Sequence, residues 1–270
     1  MDYQTFESSK DLSMLVKCYW TLESAADEKL ERQTIVPDGC MEMIFHYGDL
    51  YLQYNGNGKS IVQPRCFVIG QLTGPLEIGP TGKTGIFSVR FHPNGFLPFA
   101  SMPIKNMENT AIPLDELFGI DGFDIGEKIL KTQSVQEKIE IIEIFLLKIL
   151  TRPETIDHIV RCTVETISTG NGQLSVEELS TQIHTSRRQL ERKFSVAIGL
   201  SPKQLSKTIR LQMALKMLLT KEFNNLTSLA IDNEYYDQSH FIRDFRELVG
   251  ISPKEFYGDH LIMTSLFIGD

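Results

Sequence analysis

The chain has 270 residues, of which 41% are hydrophobic and 23% are charged, a mixture that excludes a disordered or fibrous protein and predicts one large domain or two ordinary ones. The apolar runs are shorter than the roughly 18 residues of a membrane span, and the acidic, polar start is unlike a secretory signal. The four cysteines are too sparse for a disulfide framework, so we expect a cytoplasmic protein with no membrane partner.

The charge is distributed unevenly along the chain, whose net formal charge is −8. Residues 1–170 carry 15 basic and 23 acidic side chains, whereas residues 171–258 carry 12 basic and 10 acidic ones. Such an asymmetry indicates two parts with different roles. We therefore predict one domain over residues 1–170, a second over residues 171–258 and an apolar tail over residues 259–270.

Short strands separated by turn signals predict a β-rich start to the first domain. The run from Asn55 to Gly58 is a strong hairpin signal, and the run from Pro37 to Gly39 marks another turn. Several short strands of this kind are typical of a small sandwich or barrel. The expected strands cover residues 33–36, 40–47, 50–54, 66–70, 75–79 and 85–91.

The pattern becomes helical after Pro93. An apolar stripe runs from Ile139 to Ile149 at helical spacing, and it fits either a dimer interface or packing against the β-rich part. The polar, glycine-containing run 169–172 is a plausible domain boundary. Helices are expected over residues 113–118, 122–131, 135–150 and 155–167.

A helix-turn-helix pattern begins at Leu174. Ser175 and Glu178 form a capping box at the start of a short helix. Ser186 then caps a second helix over residues 187–198, which ends before Gly199. Its apolar residues point inward every fourth position, so its charged residues face the other way.

The same pattern occurs a second time from Leu226, where a short helix precedes a second amphipathic helix over 237–249 that is capped by Asp237. Each copy ends in Gly-x-Ser-Pro, at residues 199–202 and 250–253. One long helix over 202–220 lies between the copies, with an apolar stripe at Leu205, Ile209, Met213 and Met217 and with Ala214 and Leu218 beside it. Such a rod could hold two reading helices about one turn of duplex DNA apart, near 34 Å.

Residues 174–258 resemble the DNA-binding domain of the AraC/XylS family of bacterial transcription regulators. The resemblance rests on SRRQLERKF (186–194) and YYDQSHFIRDFRELVGISPKEF (235–256). One position departs from the pattern, because Glu234 stands where the family usually has glycine, and a turn with positive φ suits glycine better.

The N-terminal part is similar to a sensory domain found before AraC-type DNA-binding domains, through VPDGCMEMIFHYG (36–48), GQLTGP (70–75) and VRFHPNGF (89–96). This resemblance implies a cupin-like β-barrel followed by helices. The expected fold class is therefore α+β: a small cupin-like β-barrel with following helices, then an all-α domain of two helix-turn-helix motifs joined by a long helix.

Candidate DNA contacts lie on the outward faces of the two reading helices. Arg188 and Arg192 fit guanine edges, Gln238 fits adenine, and Glu191 fits cytosine or orients an arginine. The alternatives are a solvated face, a helix cap for Gln238 and a structural role for His240. The remaining candidates, for phosphate or base contacts, are Ser186, Arg187, Lys203, Lys207, Arg210, Ser239, His240, Arg243 and Arg246.

Candidate ligand contacts in the N-terminal domain are Glu42, His46, Arg65 and Arg90, of which the two arginines fit an anionic effector. A cupin metal site would draw on Asp38, Glu42, His46 and His92. With two histidines before Gly95, however, we expect neither a metal nor a cofactor.

We therefore expect a bacterial, sequence-specific DNA-binding transcription regulator rather than an enzyme. Its expected partners are double-stranded DNA, a small-molecule effector, a second copy of the chain and RNA polymerase. Two alternatives stay open: an N-terminal domain that senses a protein partner, and an enzyme domain fused to a DNA-binding domain. The widely spaced cysteines disfavour the enzyme.

Overall fold

A computed structural model describes residues 1–24, 32–54, 58–150, 156–220, 222–223 and 225–259 of the chain. Strands fill the first part and helices the second, which confirms the α+β fold class. The tip of the predicted hairpin at 55–57 and the predicted tail from residue 260 onward lie outside the described residues. None of the helices in the described ranges is long and apolar enough to cross a membrane.

The strands form two antiparallel sheets. No hydrogen-bonded strand pair joins them in the described ranges, so the arrangement is an open two-sheet sandwich. The six-stranded sheet contains, in spatial order, β1 (Asp2–Phe6), β2 (Val16–Glu23), β9 (Gly85–Phe91), β4 (Glu42–His46), β7 (Cys66–Ile69) and β10 (Ala111–Pro113). The four-stranded sheet contains β3 (Gln33–Ile35), β8 (Leu76–Pro80), β5 (Tyr51–Tyr54) and β6 (Ser60–Val62).

The two faces of the six-stranded sheet have different partners. Side chains alternate along β9, so Phe87 and Phe91 join the main hydrophobic cluster with the helices, while Ile86 packs with residues of the other sheet. By the same alternation, Arg90 lies on the Ile86 side, and its register partner on β4 is Glu42. The strand pattern thus carries two charged residues to the space between the sheets.

Three helices cover the outer face of the sheet: α1 (Leu114–Phe118), α2 (Ile120–Lys131) and α3 (Val135–Ile149). Ile139, Ile142 and Leu146 are buried in the main hydrophobic cluster with residues of the sheet. The predicted stripe therefore packs against the β-rich part rather than forming an exposed dimer interface. Ile144 and Leu147 remain exposed on α3.

The C-terminal helices pack around two hydrophobic clusters, and α7 contributes to both. Leu205 joins the first cluster, and Leu211, Leu215 and Leu218 join the second. The helices are α4 (His158–Thr169), α5 (Val176–Gln182), α6 (Arg187–Ile198), α7 (Pro202–Thr220), α8 (Leu226–Asp232), α9 (Gln238–Val249) and α10 (Pro253–Asp259).

The buried stripe of α7 differs from the predicted one. Met213 and Met217 are only partly buried, whereas Leu211, Ala214 and Leu215 are fully buried. Steps of four residues advance about 400° and drift around the helix, whereas mixed steps of three and four stay on one face. The two neighbours expected beside the stripe, Ala214 and Leu218, are fully buried, whereas the four-residue series itself turns away from the core toward its C-terminal end.

The core of the C-terminal helices begins before the predicted boundary at residue 170. Val160, Val164 and Ile167 of α4 are buried in the same cluster as Leu190 and Phe194 of α6. The helix before the boundary therefore already packs with the helices after it.

Candidate DNA-binding surface and ligand cavity

The first helix-turn-helix has the predicted caps. Ser175 Oγ accepts a hydrogen bond from Glu178 N, and Glu178 Oε2 accepts one from Ser175 N at 2.8 Å, which confirms the capping box. Ser186 Oγ accepts from Gln189 N and starts α6. Leu190 and Phe194 are fully buried, so the opposite face of α6 is the outward one.

The second helix-turn-helix repeats this construction. Asp237 Oδ1 accepts a hydrogen bond from His240 N at 2.7 Å and starts α9, while Phe241, Phe245 and Leu248 are buried. Both reading helices end at a left-handed glycine, with φ of 83° at Gly199 and 89° at Gly250.

The turns inside the two motifs share one backbone geometry. His184 and Glu234 both have φ of 54°, in the left-handed region. In the first motif Thr185 N donates to Ser180 O, and in the second motif Tyr235 N makes the equivalent bond to Ala230 O. The expected positive φ at Glu234 is therefore present, and the first motif has the same feature at a histidine.

Both reading helices have their C-terminal ends against the β-rich part. Gly199 lies beside Ile104, and Gly250 lies beside Pro75. A helix of 12 residues is about 18 Å long, so the N-terminal ends of α6 and α9 lie well away from these contacts. The predicted DNA contacts lie toward those free ends.

On α6, the predicted arginines fall into two groups. Arg188 and Arg192 are exposed, and neither has an ion pair or hydrogen bond to another side chain of the described residues. Arg187 Nε instead donates to Glu191 Oε1 at 3.0 Å. The guanidinium groups of Arg188 and Arg192 are thus available to a partner, while Arg187 and Glu191 satisfy each other.

On α9, Ser239 and Arg243 are exposed at the N-terminal half of the helix. Gln238 Oε1 accepts a hydrogen bond from Thr227 Oγ1 at 3.2 Å, which ties its amide to α8. His240 Nε2 lies 3.4 Å from Asp244 Oδ2. Beside these residues, the side chain of Tyr236 is 93% exposed. Tyr236 was not predicted as a DNA contact, because it entered the sequence analysis only as part of the family pattern. Its position outside the apolar stripe could have indicated that this aromatic side chain is exposed.

Of the three candidates on α7, Lys203 is exposed, whereas Lys207 and Arg210 face other protein groups. Lys207 Nζ lies 3.2 Å from Asp244 Oδ1 and 2.7 Å from Glu247 Oε2, both on α9. The Arg210 guanidinium lies over the Tyr235 ring, 4.9 Å from its centroid. These contacts join α7 to the second motif, so neither side chain is as free as the prediction of a phosphate contact assumed.

A cavity lies between the two sheets, with about 930 Å³ of empty space including its mouth. Its wall is largely apolar and includes Trp20, the single tryptophan of the chain. Three of the four predicted ligand residues, Glu42, His46 and Arg90, line it. Arg65 is not part of the wall; its Nη1 donates to the carbonyls of His46 and Gly48.

The charged groups of the cavity form one cluster. Arg90 is buried, its Nη1 donates to Glu42 Oε1 at 2.9 Å, and its Nη2 is paired with Asp38 Oδ2. Burial raises the pKa of the Glu42 carboxyl, whereas hydrogen bonds from Ser88 and Trp20 favour its charged form. One arginine is thus shared between two carboxyl groups.

His46 is the other polar feature of the cavity wall. Its ring stacks on Tyr51, with centroids 5.3 Å apart, and also contacts Phe67. Burial lowers the pKa of His46 to about 4, so its ring is neutral at neutral pH. Its Nε2 lies 3.3 Å from Gln63 Oε1.

The metal-site residues considered from the sequence do not all meet. Asp38, Glu42 and His46 line the cavity, but His92 lies in a different groove, beside Ser13 and α4. The described ranges contain no group of three or more histidine, cysteine or acidic residues placed to hold a metal ion.

The cavity wall also includes a residue of the C-terminal helices. Gln212 of α7 lines the cavity, and its Nε2 donates to Pro37 O at 2.7 Å. Val36 is buried in the same cluster as Leu211 and Leu215. The segment 36–38 thus belongs to the cavity wall and also contacts the helix between the two motifs.

Two family models match the chain. One, described as a domain of unknown function (DUF6597), matches residues 4–113, and the other, described as a helix-turn-helix domain, matches residues 179–258. The chain therefore contains a match to a helix-turn-helix domain over residues 179–258. The second match covers α6, α7, α8 and α9, the elements that carry the predicted DNA contacts.

The curated relatives match about a third of the chain. Uncharacterized HTH-type transcriptional regulators of Staphylococcus aureus, including those of strains N315 and MSSA476, are 30% identical over 91 residues. These matches cover 34% of this chain and 12% of the relatives, so this chain spans a small part of their length.

Among solved structures, the C-terminal domain of AraT, a response regulator from Geobacillus stearothermophilus, is 25% identical, with a TM-score of 0.38, and covers 40% of this chain and 91% of that chain. ToxT from Vibrio cholerae O395, bound to (E)-4-(8-methylnaphthalen-1-yl)but-3-enoic acid, is 13% identical, with a TM-score of 0.47 and coverage of 95% and 98%.

Proposed function

We propose that the protein is a sequence-specific, DNA-binding transcription regulator that acts in the bacterial cytoplasm. The observation that carries this proposal is the repeated motif, in which α6 and α9 both have exposed, polar N-terminal halves and C-terminal ends against the β-rich part. Helix-turn-helix proteins place such N-terminal residues against base edges in the major groove. The helix between the motifs has 19 residues and is about 28 Å long, comparable with one turn of duplex DNA.

The proposed base contacts are led by Arg188 and Arg192, because their guanidinium groups have no intramolecular partner among the described residues. On α9, Ser239, Arg243 and the exposed Tyr236 are the corresponding groups. Arg187 acts through its pair with Glu191 or exchanges it for a phosphate. We assign Lys207 and Arg210 to the positioning of α9 rather than to the DNA backbone.

The test of DNA binding is selection of bound fragments from a pool of random duplexes with the full chain, followed by affinity measurements on the enriched site. Arg192→Ala should weaken binding to that site by about 1–3 kcal/mol and relax the preference at one base pair. Arg161→Ala, which removes an exposed arginine from α4, is the matched control and should change affinity far less. Failure to enrich any sequence, or equal effects of both variants, would contradict the proposal.

We further propose that a small molecule in the cavity modulates DNA binding. A ligand can shift the protein only through different affinities for two states, and the contact of Gln212 with Pro37 supplies a physical connection between the cavity wall and α7. A thermal-shift screen of metabolites on the full chain tests this step. Silence across the screen would favour the alternative, in which the N-terminal part binds another protein.

Homodimer formation and contact with RNA polymerase stay predictions. Light scattering at several concentrations tests the first, and co-purification with polymerase on the enriched DNA tests the second. For the enzyme alternative, metal analysis of the purified protein is the discriminating measurement, because a stoichiometric metal would revive it.

A further inference from the structure

The chemistry of the cavity wall limits the kind of ligand that it can bind, and this inference rests on the proposed role of the cavity as a sensory site. Most of the wall is apolar, with Leu22, Ile44, Ile78 and Ile86 among its residues. Burying apolar surface contributes roughly 25 cal/mol per Å², so the bulk of a ligand must be apolar. The few polar groups then decide the identity of its head group.

The charged cluster disfavours an anionic head group. Arg90 is the one arginine or lysine of the wall as described, and both Glu42 and Asp38 already contact its guanidinium. A ligand carboxylate would have to displace one of these groups and would meet the other at short range. The sequence-based expectation that Arg65 and Arg90 hold an anion loses its second arginine as well, since Arg65 binds backbone carbonyls outside the wall.

The same cluster offers no unpaired carboxylate to a cationic head group. The two carboxyl groups share the Arg90 guanidinium, and the charge that remains is offset in part by Lys17, whose field acts on Glu42. Transfer of an ammonium group into this apolar space would therefore lack a dedicated, unpaired carboxylate. The wall is best matched by an uncharged ligand.

His46 supplies a directional contact for such a ligand. The amide oxygen of Gln63 can only accept, so His46 Nε2 carries the proton and Nδ1 is the acceptor of the ring. His46 is 1% exposed, and its Nδ1 has no hydrogen-bond partner within the described ranges. A buried acceptor without a donor is costly, so a ligand hydroxyl in the cavity would gain from filling this role.

We propose that the cavity binds an uncharged, largely apolar small molecule whose hydroxyl group donates a hydrogen bond to His46 Nδ1. Analogues should bind less tightly for two reasons. An analogue without the donor leaves the buried nitrogen unsatisfied, and a charged analogue loses its hydration without gaining a free counter-ion.

The experiment compares four probes with the same octyl chain: 1-octanol, octyl methyl ether, octanoate and octylamine. Binding to the full chain is followed by the fluorescence of Trp20, which lines the cavity and is the single tryptophan, and is repeated by calorimetry. We expect 1-octanol to bind about tenfold more tightly than the ether and more tightly than either charged probe. Affinities of ether and alcohol within threefold, a tighter charged probe, or no saturable binding by any probe would each overturn the proposal.

A variant identifies the atom responsible. His46→Phe should bind the alcohol and the ether equally, whereas His92→Phe, at a histidine outside the cavity, should keep the wild-type ratio. Should His46→Phe fail to fold, the probe ranking in the wild-type protein still decides the question. These titrations contain no DNA, so loss of DNA binding alone would contradict the proposed function, and a wrong probe ranking alone would contradict this inference.

Discussion

The contact of Lys207 with Asp244 yields a prediction that separates a structural role from a DNA-binding one. Lys207 is 15% exposed and Asp244 is 6% exposed, and their charged atoms are 3.2 Å apart. At an effective dielectric constant of about 20, two unit charges at this distance attract by about 5 kcal/mol. Removal of one partner of a buried pair typically costs about 3–5 kcal/mol, because the other charge remains buried.

We expect Lys207→Met to lower the free energy of unfolding of the C-terminal helices by about 3 kcal/mol. The lower end of the range applies because His240 and Arg243 remain within 4 Å of the Asp244 carboxylate. Urea unfolding followed by far-ultraviolet circular dichroism measures this loss, while the fluorescence of Trp20 reports the β-rich part, which should change little. In the double variant Lys207→Met/Asp244→Leu most of the loss should disappear, and the single variant Asp244→Leu completes the cycle that gives the coupling energy.

The dependence of DNA affinity on salt concentration tests the alternative, in which Lys207 contacts a DNA phosphate. A lysine that contacts phosphate contributes about 0.9 to the slope of log affinity against log salt, so its removal lowers the slope by that amount. We expect no such change for Lys207→Met, and a reduced slope for the control Lys203→Met, since Lys203 is exposed one turn earlier on α7. Wild-type stability together with a reduced slope for Lys207→Met would refute the structural role.

Three further predictions concern the turn, the buried histidine and the contact between the two parts. Glu234→Gly should stabilise the C-terminal helices by about 1 kcal/mol, because φ at this position is 54°; Glu234→Ala should give no gain, and equal gains would show that the side chain is responsible. The pKa of His46 is lowered to about 4 by burial, so the unfolded state binds its proton first as the pH falls below 6.5. Stability should therefore fall by about 3 kcal/mol more in the wild type than in His46→Phe between pH 6.5 and 4, as measured by Trp20 fluorescence in urea, and parallel pH profiles would contradict this reasoning. Gln212→Leu should cost about 1 kcal/mol by leaving Pro37 O unpaired, and should separate the fluorescence and circular dichroism transitions; coincident transitions would count against coupling through this bond.

Features set by neighbouring residues could be predicted from the sequence. The caps at Ser175, Ser186 and Asp237 and the glycine ends of both reading helices depend on residues within about one helical turn, and all of them are present. The positive φ at Glu234 followed from the same local logic. Short-range spacing also decided which faces of α6 and α9 are buried, because a helix returns to the same face every 3.6 residues.

The strands of the β-rich part were predicted less completely than the helices. Six of the strands were expected, but β1, β2, β6 and β10 lack a clear alternating pattern and were not. Burial is nearly continuous along β2, and a strand buried on both faces has no alternation to recognise.

Contacts between distant positions were decided by the tertiary structure alone. From the sequence, Lys207 and Arg210 were predicted to be free for phosphate, and Arg90 was predicted to bind an anion. The apolar stripe at Ile139 fitted either a dimer interface or packing against the β-rich part. Strand register placed Arg90 opposite Glu42, and packing of α9 on α7 placed Asp244 beside Lys207. Gln212 and Pro37 are 175 positions apart, and no pattern of nearby residues indicates that their side chain and backbone meet. Local spacing determines helices, caps and buried faces, whereas the partner of a charged or polar side chain depends on the closure of the whole chain, which brings remote segments within hydrogen-bond distance.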